Sequence, residues 1–162
     1  MKNPSIKNNY PQNFRIVDNI KSDISFEGYG KDLNTLFSSC ALALSSITCD
    51  INMVPKIKCV KFEMFGKPEI LLYDFLSKIL LLIDTKEMFF SDFTLKIEEK
   101  NYPSQNNIQN NILENEYKLF CECFGSNINK KASKVHIKAI TLHNLKITLT
   151  NSRYIAQVCV DV

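Results

Sequence analysis

The sequence predicts an α+β fold, mostly antiparallel sheet(s) with two helices. Three observations carry it. Apolar residues recur at helical spacing in only two segments. Most of the remainder alternates with period two, as strands do. A strand-turn-helix pattern also occurs twice, at a fixed offset.

Residues 1–13 are polar and Asn-rich and read as a loose tail. Residues 14–162 then form a single domain, and 162 residues suffice for one core. The first ordered stretch is 14–30. From Asp23, the residues Ile24, Phe26 and Gly28 alternate with Ser25, Glu27 and Tyr29, which predicts a strand. A helix follows, with Leu33, Leu36, Phe37, Cys40, Ala41, Leu44 and Ile47 on one stripe. Asp32 is its N-cap, and Asn34, Thr35, Ser38 and Ser39 should face away. Residues 58–64 read as a second strand. Pro68 opens a second helix. Its apolar residues from Ile70 to Ile83 leave a thin polar stripe at Asp74, Ser77, Lys78 and Thr85, so burial over most of its circumference is expected. Strands are then expected at 89–99, 116–124, 135–149 (long or broken) and 154–162. An Asn/Gln-rich loop at 101–115 and a turn region at 125–134 separate them.

Residues 26–47 align without gaps on 62–83. Phe26/Phe62, Glu27/Glu63, Gly30/Gly66, Lys31/Lys67, Leu36/Leu72, Leu44/Leu80 and Ile47/Ile83 are identical. This predicts a duplicated β-turn-α unit with a glycine at each corner and pseudo-twofold character. Both helices should then lie on one face of a sheet.

Composition excludes several classes. With 45% hydrophobic and 23% charged residues the chain is neither disordered nor fibrous, and 4 Gly and 5 Pro exclude a linker. No apolar run reaches the roughly 18–20 residues that span a bilayer. The first residues lack the apolar stretch of a signal peptide. A cytoplasmic or nuclear, intracellular protein without membrane contact is expected. Its six cysteines should be reduced. There is no CxxC and there are only two histidines, which argues against a structural zinc site. Cys121 and Cys123 share one strand face as small buried hydrophobes. A net charge of +3 falls short of a nucleic-acid footprint. Of 20 basic residues only Arg15 and Arg153 offer a forked phosphate donor, so no direct sequence-specific nucleic-acid binding is expected.

No phosphate loop, zincin or nucleophile-elbow motif is present. His143 falls on the strand face of Ile137, Ala139, Thr141, Leu145 and Ile147, where a half-buried, hydrogen-bonded histidine is expected. Lys138 points to the opposite face. The terminal VCVDV sits inside a strand pattern, so Asp161 is ordered one residue from the carboxylate of Val162. Two anions that close repel unless a cation or basic group neutralises them. One further acid would complete an oxygen site for a hard cation, and a solvated terminal dipeptide is the alternative.

The segments SDISFEGYGKDLNTLFSSCALAL and PEILLYDFLSKILLLIDTKEMFFSDFTL, then VHIKAITLHNLKI and the final Asp161-Val162, together resemble the archease family over residues 14–162. The resemblance implies a non-catalytic activator of the RtcB-type tRNA-splicing RNA ligase. That ligase joins a 3′-phosphate or cyclic phosphate end to a 5′-hydroxyl through a guanylylated histidine. The family member would promote guanylylation and turnover. The resemblance also implies a metal site of Asp23, Asp161 and the Val162 carboxylate, holding a divalent cation, Ca²⁺ or else Mg²⁺. Asp18 is the alternative first ligand, and Lys138 and His143 would face the partner. The chain departs from the family pattern at Ile20, His136 and Ser126. A chaperone-like interaction module and a small metal-dependent hydrolase are the competing readings.

Overall fold

The structure, a computed structural model, describes residues 13–18, 23–100 and 111–162. Residues 1–12 of the expected tail, Ile20, and residues 101–110 of the Asn/Gln-rich loop lie outside the described residues. In chain order the elements are β1 (Phe14–Asp18), β2 (Asp23–Gly30), α1 (Leu33–Thr48), β3 (Lys58–Gly66), α2 (Pro68–Lys86), β4 (Met88–Glu99), β5 (Tyr117–Asn127), β6 (Ala139–Thr150) and β7 (Arg153–Asp161). Short 3₁₀ turns occupy Ile51–Met53 and Ile112–Glu114. The α+β class is as the sequence predicts.

The strands form two antiparallel sheets, in the orders β1-β2-β7-β6 and β3-β5-β4. Helix α1 packs on β2 of the first sheet and β4 of the second. Helix α2 packs on β6 of the first and on β3 and β4 of the second. The helices therefore lie between two sheets, not on one face of a single sheet. Phe37 of α1 stacks on Phe75 of α2 with ring centroids 5.8 Å apart, joining the helical layer at its middle.

Small residues make this sandwich possible. Ser39, Cys40, Ala41, Ala43 and Ser45 of α1 are all buried, so backbone can approach that helix from both sides. Ser39 was expected to face away. It is buried instead, and its hydroxyl donates to the carbonyls of Tyr29 and Thr35, both at 2.8 Å. Helix α2 errs in the opposite direction. Ile70 and Leu81 on its outer side are 52% and 53% exposed, so it is less enclosed than its hydrophobicity suggested.

The predicted caps are present. The Asp32 carboxylate accepts from the Thr35 backbone N–H at 2.8 Å, and Pro68 occupies the first position of α2. Gly30 and Gly66 end the two strands that precede the helices. Those strands belong to different sheets, β2 to the first and β3 to the second. Over the helices the burial patterns coincide one residue off the gapless register. Leu36, Phe37, Cys40, Ala41, Leu44 and Ile47 correspond to Leu71, Leu72, Phe75, Leu76, Ile79 and Leu82, because the turn after Gly66 is one residue shorter.

Strand β6 is broken by a bulge. Four residues, Leu142 to Leu145, oppose the single Val158 of β7, and Asn144 adopts a left-handed conformation with φ 59°. The insertion resets the alternation. Ile140 and Ile147 both face the core although they are seven positions apart, an odd step that unbroken alternation would put on opposite faces. His143 is consequently exposed on the bulge and not half-buried as expected.

Candidate functional site

The carboxylates are brought together by strand register. Strand β7 alternates strictly, with Tyr154, Ala156, Val158 and Val160 buried. Asp161 therefore falls on the solvent face. Pairing with β2 sets Asp161 directly opposite Asp23, at the end of the ladder whose other end pairs Gly30 with Tyr154. On its other side Asp161 pairs with Ala139 of β6, and the Lys138 backbone N–H donates to the Asp161 carbonyl at 2.8 Å. Val162 packs against the core edge and fixes the final residue at the same sheet end. Asp23 is exposed and Asp161 half-buried.

Like charges directly opposite on adjacent strands destabilise a sheet, by roughly 0.2–1 kcal/mol on the scale of cross-strand pairs. A cation between them would convert that repulsion into binding energy. The donors are all oxygens, the chemistry that a hard divalent cation prefers. Among the described residues no three His, Cys, Asp or Glu side chains converge. A cation there would have the two side-chain carboxylates of Asp23 and Asp161, with its remaining ligands to come from water or from a partner.

The other expected residues are placed as follows. Lys138 is exposed immediately before β6. Asp18 pairs in β1 with Ile24, the neighbour of Asp23. Ser126 lies in β5, in the other sheet, and His136 is exposed ahead of β6. The cysteine thiols of Cys40, Cys49 and Cys121 are unsuited to nucleophilic work. Burial pushes Cys40 up and Cys49 up to about 11, and the hydrogen bond with Cys123 at 3.5 Å, together with burial, raises Cys121.

A polar cluster on the same face was missed from the sequence. Glu27 accepts from the Tyr29 hydroxyl and from Arg15, the latter at 3.1 Å. The Tyr29 hydrogen bond, helped by Arg15 and opposed by burial, holds the Glu27 carboxyl below the usual range. The same bond raises the Tyr29 hydroxyl. The Arg153 guanidinium lies 4.3 Å from the centre of the Tyr29 ring. These residues come from β1, β2 and β7, and only the strand order unites them.

Fold and site together define a small helix-between-sheets protein with opposed carboxylates at one sheet end. Comparison with known proteins makes the assignment specific. The archease protein family matches residues 14–162, and the chain belongs to that family. It is 33% identical to the archease of Pyrococcus abyssi over 145 residues, 87% of this chain and 93% of that one. It is 31% identical to the archease of Archaeoglobus fulgidus over 150 residues, 92% and 98% of the two chains. The fold resembles the solution structure of Methanobacterium thermoautotrophicum protein 1598. The TM-score is 0.72 with 24% identity, covering 93% of this chain and 99% of that one. It also resembles the crystal structure of an archease from Thermotoga maritima, described as a possible chaperone. Here the TM-score is 0.52 with 17% identity, covering 85% and 89%.

Proposed function

We propose that this archease is a non-catalytic protein cofactor of an RtcB-type tRNA-splicing RNA ligase, acting through a divalent cation held by Asp23, Asp161 and the Val162 carboxylate. The observation that carries the reading is the direct pairing of Asp23 with Asp161 at one sheet end. Ca²⁺ tolerates the irregular geometry of carboxylates drawn from two strands better than Mg²⁺, which demands near-octahedral ligation. When bound, the cation supplies positive charge at an exposed edge where a partner can complete its coordination. Asp23 and Asp161 hold it, and the Lys138 N–H fixes the Asp161 backbone. Lys138 and His143, both exposed, are offered to the partner from β6 and its approach.

A cofactor of this kind promotes guanylylation and turnover only by binding the competent ligase conformation more tightly than the idle one. The test is multiple-turnover ligation of RNA with a 3′-phosphate end by such a ligase, with this protein substoichiometric. Stimulation by the wild type and its loss with Asp161→Ala is the expected result. Equal stimulation by both would sink the reading. The description of the Thermotoga maritima relative favours a second reading, a chaperone-like module. That reading predicts suppression of client aggregation, unchanged by Asp161→Ala or by chelator.

A further inference from the structure

The whole-chain charge of +3 conceals a local asymmetry. Asp23 and Asp161 mark one end of the β2–β7 ladder, and Tyr29 lies six residues along β2 from Asp23, about 20 Å at strand rise. Around Tyr29 the cations outnumber the carboxylate of Glu27, which accepts from the Tyr29 hydroxyl and from Arg15. A depression of about 370 Å³ is lined by Tyr29, Lys31, Ser152 and Arg153, together with uncharged residues and no acid. A second, of about 900 Å³, also reaches Tyr29 and is lined by Arg15, Lys131 and Lys134. Its one acidic lining residue, Asp50, is engaged by the Asn52 backbone N–H at 3.1 Å. Both arginines of the chain thus converge on one tyrosine from β1 and β7.

Arg153 is held in place. The turn before it puts Asn151 and Ser152 at φ 51° and 61°, the tight two-residue connection that joins β6 to β7. The turn delivers the guanidinium onto the Tyr29 ring. Neither Arg153 nor Lys31 has an ion-pair partner among the described residues. A guanidinium stacked on one face keeps its N–H edge for a phosphate and its other face for a base.

We propose that the Tyr29 end of the four-stranded sheet is a track for a single-stranded polynucleotide. Arg153 and Lys31 contact one phosphodiester, Lys131 and Lys134 contact the next ones along the strand, and Arg15, whose charge is shared with Glu27 at 3.1 Å, reaches them with the rest of its fork. A row of cations spread over two depressions that share Tyr29 suits a polyanion better than a single phosphate. The contacts are to backbone and stacking surface, so no sequence preference is implied. The proposal is independent of the ligase reading, because it concerns the protein alone.

The test is fluorescence anisotropy of the full chain with labelled 12-nucleotide oligouridine and oligothymidine at low salt, with pyrophosphate and polyglutamate as competitors. Binding should weaken with salt, with a logarithmic slope near −2 to −3.5 for three to five contacts at about −0.7 each. Arg15→Gln/Arg153→Gln should bind at least tenfold more weakly. Lys61→Gln/Lys96→Gln, on the other sheet, should bind as the wild type does. Preference for the oligouridine assigns the track to RNA, and equal binding assigns it to single strands generally. Three results would each overturn the proposal: no binding at low salt, no loss in the arginine variant while its melting temperature is unchanged, or competition by polyglutamate as strong as by unlabelled oligonucleotide. The last would mark the track as a dock for an acidic protein segment.

Discussion

Gly30 sets the distance between β2 and α1 through the absence of one methyl group. A Cβ there would strike the Leu36 backbone nitrogen, and backbone cannot rotate away as a side chain can. Gly30→Ala should therefore cost about 2–3 kcal/mol of stability, the usual scale of overpacking. Urea denaturation checks it, with the midpoint falling and the slope unchanged. Two residues on, Asp32 acts through charge. The Thr35 backbone N–H bond, opposed by burial, holds the Asp32 carboxyl below its ordinary 3.8. A depressed carboxyl stabilises fully above its unfolded pKa, and the contribution is lost as pH falls through the lower folded value. Asp32→Ala should cost about 1 kcal/mol at pH 7. Asp32→Asn keeps an equally good cap without the titration. The wild-type advantage over Asp32→Asn should therefore shrink as the pH is lowered from 5 to 3, and a constant difference would contradict this account.

At the scale of elements, both helices pin the edge strand of a sheet with a side chain from their first turn. Asn34 of α1 accepts the Ile97 N–H of β4 at 2.7 Å, and Glu69 of α2 accepts the Ile147 N–H of β6 at 3.0 Å. Each bond occupies a donor that an open edge would otherwise present to another chain. Glu69→Ala should speed amide exchange at Ile147 at least tenfold, while Glu69→Gln, which retains an acceptor, should not. Equal exchange in both variants would show that water or neighbours replace the bond. Which elements form was legible in the sequence, and how they face was not. Leu36, Phe37, Cys40 and Leu44 marked α1 by their spacing. Its second buried side is built of Ser39, Ala43 and Ser45, small residues that carry little hydrophobic signal. Ile70 and Leu81 gave α2 more hydrophobicity than its packing uses. The five residues of β1 are too few for alternation to stand out. His143 was grouped with Ile147, but it lies inside the β6 bulge, and the inserted residues change the parity between Ala139, which is exposed, and Ile147, which is buried.

For the molecule as a whole, the site depends on contacts between the two ends of the chain. Asp161 beside Val162 was visible in the sequence. That Asp23 stands opposite depends on β2 pairing with β7, a contact across nearly the full length that no local pattern encodes. The family resemblance supplied it. The Arg15–Tyr29–Arg153 cluster had no such help and emerged only from the strand order. The same long-range pairing ties site occupancy to global stability, because β2 and β7 are the central strands of their sheet. In EDTA the opposed carboxylates repel, so Asp161→Asn should equal the wild type or exceed it by up to about 1 kcal/mol. Calcium at about a hundred times its dissociation constant should add about 2.7 kcal/mol to the wild type, a rise of roughly 5–10 °C in a domain of this size. The variant lacks one of the cation's carboxylates and should gain little. The wild type should thus melt above the variant in calcium but not in EDTA. Parallel shifts in the two proteins would place the cation elsewhere and leave the paired aspartates as plain surface charges.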